Sequence, residues 1–225
     1  MYEFVTGPLA WISFSIFFIG LFVRFVLYIK GLDWKADRVT YRVNVKYGIK
    51  GAVRSIFFWL VPFGTRSWRN NIAFTIAFFI FHAGLIITPI LLQAHNIILK
   101  ERWGFSFFTI PDPVADIMTI GVILAGIFIV LRRIALPEVR ILTSVYDFVI
   151  LFIAMAPFIT GFLAYHEAPA YNFWLIAHIL SGELMLIAIP FTKLSHFLLF
   201  FLSRAQLGMD FGIKRGGMKG KGLAW

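Results

Sequence analysis

The chain has 225 residues, 60% of them hydrophobic and 18% aromatic, with a mean hydropathy of +0.85 and a formal charge of +10. Ordinary soluble domains are less apolar, and the apolar residues here come in long runs, which places the protein in the membrane class. The absence of cysteine excludes cysteine-ligated iron–sulfur clusters, covalently attached c-type haem and disulfides. The basic residues lie between the apolar runs, a distribution that speaks for a membrane and against nucleic acid.

The first seven residues carry Glu3 and neither Lys nor Arg. They lack the basic start of a cleaved signal peptide, so the first apolar stretch is expected to be retained. Five stretches are long enough to cross a bilayer at about 20 residues per crossing: about 8–29, 72–95, 113–131, 145–165 and 172–202. The third begins after the breaker Pro111-Asp112-Pro113. The fifth is longer than a crossing needs, so its end should emerge or tilt.

Lys and Arg are distributed unevenly across these spans. Ten lie between Arg24 and Arg69, three at Arg132, Arg133 and Arg140, and six between Lys193 and Lys221. The opposite side has Lys100 and Arg102 alone. Nineteen cations against two predict a cytoplasmic majority side, an outer N-terminus and an inner C-terminus.

The loop 31–71 is basic. Within it, residues 55–63 form an apolar stretch too short to span, flanked by Lys50, Arg54, Arg66 and Arg69. It reads as an interfacial amphipathic helix, serving as a lipid anchor or as a docking surface. The tail 203–225 becomes basic and glycine-rich over 214–221, a composition that stays unfolded until it meets lipid or a partner. The expected fold is all-α, an integral membrane five-helix bundle forming a single domain.

Histidine carries the chemistry. His82 and His95 lie in the second span, His178 and His196 in the fifth. Imidazole is costly inside a bilayer, so intramembrane histidines read as functional. The two spans run in opposite directions, which matches His95 with His178 near the outer face and His82 with His196 near the inner face. Two bis-histidine haems, one above the other, would fit such pairs. On a continuous helix, eighteen residues make five turns, so His178 and His196 should share a face about 27 Å apart. Thirteen residues leave His95 about 140° out of phase with His82. Pro89 lies between them, and a kink there or a helix end near Gln93 would turn His95 inward. The competing reading is structural histidine bonded between helices.

Other polar residues are few. His166, beside Glu167, is a solvated loop histidine, a proton acceptor at a quinol site, or a substitute for His95 as outer ligand. Lys100 and Arg102 could orient a quinone oxygen or anionic head groups. Arg132, Arg133 and Lys193 could neutralise haem propionates or serve as interfacial anchors. Glu183 is a second-shell group, a proton relay or a packing residue, protonated or partnered in each case. Gly84 and Gly182 would admit a flat macrocycle or a close helix contact.

His178 through Pro190-Phe191-Thr192-Lys193-Leu194-Ser195-His196 resembles the last helix of the nitrate reductase gamma-subunit family. Phe81-His82 to His95 resembles that family's second helix. Five spans with an outer N-terminus also match, so the resemblance covers most of the chain. It implies a di-haem b cytochrome, with His82 and His196 holding the inner haem iron and His95 and His178 the outer one, exchanging electrons with quinone (menaquinone) near the outer haem. The first pair is more widely spaced than in respiratory nitrate reductase, and the long basic loop is unlike that subunit.

Both departures resemble the branch found in transmembrane redox complexes of sulfate-reducing bacteria. Those are the high-molecular-weight cytochrome c, type-II tetrahaem cytochrome and sulfite-reductase-linked complexes. That branch implies a cytoplasmic iron–sulfur partner resembling heterodisulfide reductase, a periplasmic multihaem cytochrome c and a place in the bacterial inner membrane, as part of sulfate respiration. The expected function is therefore electron transfer across the membrane, in a direction the sequence leaves open. A haem-free transport subunit or a plain membrane anchor is the competing expectation.

Overall fold

The computed structural model describes residues 2–32 and 45–214, with side chains described as far as 210. Residues 33–44 of the basic loop and 215–225 of the tail lie outside the described residues. The described chain is all-helical, without a strand. Five helices are long and apolar enough to cross a membrane: α1 (Tyr2–Gly31), α4 (Ile72–Leu91), α6 (Asp112–Ala135), α8 (Val145–Tyr165) and α9 (Tyr171–Phe191). Between them and after them lie α2 (Val45–Leu60), α3 (Arg66–Asn70), α5 (Gln93–Trp103), α7 (Pro137–Arg140) and α10 (His196–Lys214). Large apolar side chains such as Phe18, Ile19 and Phe22 on α1 and Ile117 and Leu124 on α6 stand exposed, a surface that suits lipid.

Two spans end earlier than their apolar runs predict. The second stops at Leu91 instead of continuing to 95, because Leu92 turns extended (φ −63°, ψ 133°) and α5 starts at Gln93. The carbonyls left open are taken locally. Asn96 Nδ2 donates to Ile90 O at 2.7 Å and to Leu92 O at 3.0 Å, and Ile110 N donates to Leu91 O at 3.1 Å. The fifth stops at Phe191, not near 202. Thr192 is extended (φ −121°, ψ −176°), its hydroxyl accepts from Leu194 N, and a 3-10 turn over Lys193–Ser195 leads into α10. Satisfying the end groups of a helix in this way fixes where it stops.

Among the described residues the chain forms two compact units, 2–14 with 76–187, and 15–32 and 45–75 with 188–214. In the first, glycines let helices close on one another. A Cβ on Gly84 of α4 would strike the Val122 side chain on α6, and one on Gly126 of α6 would strike Met155 of α8. Val122 is fully buried there. Gly84 is thus a close-packing residue, as small residues are where membrane helices meet.

In the second unit, α2 presents Gly48, Gly51, Ala52 and Ser55 as its buried face and packs them against α10. A Cβ on Gly208 would strike the Gly51 carbonyl. The opposite face of α2 carries exposed Val45, Ile49, Val53 and Phe57. The amphipathic helix therefore begins ten residues before the 55–63 stretch read from sequence, because its small residues pack and do not anchor. Arg204 of α10 lies over the Trp59 ring at 4.7 Å, and Tyr28 of α1 donates to Gln206 Oε1 at 2.6 Å.

Candidate histidine centre

Four spanning helices contain an internal proline, Pro8 in α1, Pro89 in α4, Pro157 in α8 and Pro190 in α9, and the carbonyls of the last three accept side-chain donors. Pro89 O takes His95 Nδ1 at 2.9 Å, Pro157 O takes His178 Nδ1 at 2.9 Å, and Pro190 O takes Arg24 Nε at 2.6 Å. For Pro89 the cause is local: with α4 ending at Leu91, no amide four residues on reaches its carbonyl, and His95 fills the vacancy. Of the two expected causes, the helix end near Gln93 is the one present, at Leu91, and the Pro89 carbonyl accepts the His95 side chain just beyond it.

His95 and His178 meet. Their ring centroids lie 5.9 Å apart with the planes 11° from parallel, and both rings are half-buried. A carbonyl only accepts, so each Nδ1 carries the proton and each Nε2 keeps its lone pair. Gly161 of α8, one turn past Pro157, makes room for the His178 ring; a Cβ there would lie 2.7 Å from its Nδ1 and 2.8 Å from its Cε1. Ser181 of α9 and Thr160 of α8, 3.2 Å apart, hold the same two helices together.

His82 and His196 show the same tautomeric logic separately. His82 Nδ1 donates to Phe78 O at 2.8 Å, and its ring lies 4.0 Å from that of Phe78. His196 opens α10, and its Nδ1 donates to Lys193 O at 2.8 Å. The two fall in different units. The expectation that His178 and His196 share a face of one continuous helix is corrected: the break at Thr192 puts them on separate helices.

His166 is exposed at the end of α8, and its Nε2 pairs with Asp116 Oδ1 of α6 at 3.1 Å. The structure brings His95, and not His166, to His178. Lys100 and Arg102 are exposed in the last turn of α5, and Glu167 follows His166 with a positive φ of 49°. Among the described residues these three make no side-chain hydrogen bond or ion pair, so they do not gather around His166. Arg132 and Arg133 are half-buried at the end of α6, and Lys193 is exposed in the turn after α9. Gly182 faces open space, with nothing within 4 Å of an added Cβ.

Sequence reasoning missed Pro157, Gly161, Asp116 and Asn96. A proline followed four residues later by glycine, Pro157 and Gly161, was the available sign, since the pair shares one helix face.

Two imidazole nitrogens each about 2 Å from one metal ion would put ring centres about 6 Å apart, close to what His95 and His178 show. Among the described residues no group of three or more His, Cys, Asp or Glu could hold an ion unaided. A haem iron would take at most two ligands from the protein, since the macrocycle supplies the others, and His95 and His178 could provide two imidazoles. The residues present therefore fit a bis-histidine haem.

The chain is 54% identical over 226 residues to an uncharacterised protein of Nitratidesulfovibrio vulgaris (strain Hildenborough), and the match covers 100% of both chains. The two belong to one family. No family model and no solved structure matches the chain.

Proposed function

We propose that this protein is a multi-pass cytochrome b subunit that carries electrons across the bacterial inner membrane, with its N-terminus outside and its C-terminus in the cytoplasm. The observation that carries the reading is the pairing of His95 and His178, each with Nδ1 tied to a proline carbonyl and Nε2 left as a ligand. When bound, haem supplies the one-electron chemistry. The chain's own part is to fix imidazole tautomer and ring direction through the Pro89 and Pro157 carbonyls, as outer partners do for metal-bound histidine. A second haem b on His82 and His196 rests on the sequence, together with the shared Nδ1 bonding of both residues.

The charge bias of nineteen cations to two supports the orientation. It also supports a cytoplasmic partner with an acidic face, in keeping with an iron–sulfur protein resembling heterodisulfide reductase. Electrons on the outer side would be exchanged with a periplasmic multihaem cytochrome c or with menaquinone. His166, held by Asp116, is then the candidate proton acceptor for a quinol. Among the described residues Lys100, Arg102 and Glu167 make no side-chain hydrogen bond or ion pair with His166 or Asp116.

A pyridine haemochrome spectrum of the purified chain tests the reading. About two b haems per chain are expected, with one lost on His178→Ala. A colourless chain would instead favour a haem-free transport or anchoring subunit.

A further inference from the structure

Glu183 of α9 is 7% exposed, and neither carboxylate oxygen has a hydrogen-bond partner among the described residues. It lies five residues past His178 on the same helix, about 7.5 Å further along the axis. The other charged side chains on the spans of its unit sit within five residues of a span end: Glu3 on α1, Asp112, Asp116, Arg132 and Arg133 on α6, and Asp147 on α8. Within the apolar middle of those helices its titratable companions are His82 and His178, both with Nδ1 committed to carbonyls. An unpaired carboxylate in such a place is costly, whereas the neutral acid is tolerated. A positive charge nearby would favour the carboxylate, and loss of that charge the neutral acid.

We infer that Glu183 takes up one proton when an electron reaches the His95/His178 haem, and releases it when the electron leaves; the inference rests on the function proposed above. One electron from a quinol or cytochrome donor adds one negative charge to the centre. One proton from water converts the Glu183 carboxylate to the carboxylic acid and cancels that charge. On oxidation the electron would pass to an iron–sulfur acceptor while the O–H bond breaks, returning the proton to water. Charge-neutral transfer is favoured because an apolar interior screens weakly.

The experiment is an optical redox titration of the full chain in its membrane complex across a pH series, for wild type and Glu183→Gln, following the haem that His178→Ala removes. In wild type the midpoint should fall with rising pH, approaching about 59 mV per unit for one proton per electron. In Glu183→Gln the haem content should be kept and the slope lost. Haem-loaded Glu183→Gln with the wild-type slope overturns the inference, as does a flat wild-type profile. Wild type without haem overturns the proposed function, and the inference with it. Should Glu183→Gln fail to accumulate, infrared difference spectra of wild type decide. A deuterium-sensitive carboxylic acid band on reduction is expected, and its absence overturns the inference.

Discussion

A histidine that ligates a metal needs one nitrogen bare and the other held. Four histidines of this chain meet the second condition through a backbone carbonyl: His82 with Phe78, His95 with Pro89, His178 with Pro157 and His196 with Lys193. His166 differs, since its partner is the Asp116 carboxylate. The most sensitive neighbour of the set is Gly161. An alanine there places a methyl 2.7 Å from His178 Nδ1, so the ring must leave the Pro157 carbonyl. Gly161→Ala should reduce haem from about two to about one per chain, measured by pyridine haemochrome. Gly182→Ala is the control, since its Cβ enters open space. It should keep both haems and gain slightly in helix stability, by about 1 kcal/mol at most. Loss of haem in both variants would mean that helix packing, and not the His178 ring, responds to added bulk.

At the scale of elements, the ends of α4 and α9 decide where histidines go. Apolar runs gave the five spans, because lipid-facing length is written in hydropathy and survives any detail of packing. The helix ends were not written that way. The run 72–95 stays apolar through Leu91 and Leu92, and the break depends on Asn96 reaching back to two carbonyls and forward to Phe107 N at 2.7 Å. That is tertiary information carried by one buried amide. Likewise Thr192 ends α9 with a hydroxyl cap inside a run whose composition continues. The phase argument for His178 and His196 failed for this reason, and for His95 the helix end expected near Gln93 lies at Leu91. Asn96→Ala takes the side-chain partner from Ile90 O and Phe107 N, while Leu92 O keeps the residue-96 backbone N–H, and should cost about 1–3 kcal/mol. Its signature should be a lowered thermal midpoint together with weakened retention of the His178 haem. Destabilisation with that haem fully kept would show that α5 holds His95 without the amide.

At the scale of the molecule, the sequence matched histidines by depth, and for one pair the structure adds geometry: His95 and His178 stand ring to ring. His82 and His196 belong to separate units, each described by its own contacts, so their pairing is a matter for spectroscopy. Four single alanine variants at these positions provide the test. If each haem has two axial imidazoles, removing either member of a pair removes the same centre. His95→Ala and His178→Ala should therefore share one residual spectrum and one residual midpoint. His82→Ala and His196→Ala should share the other, and the two residual spectra should sum to that of wild type. The Nδ1 bonds of His82 and His196 go to carbonyls within four residues, so loss of His95 or His178 should leave the tautomers of that pair intact. A spectrum shared by His82→Ala and His95→Ala would sink the depth matching, because it would pair histidines along one stretch of chain instead of across two. Loss of both haems in every variant would mean that the centres assemble as one unit, and the depth assignment would then have no support from independent sites.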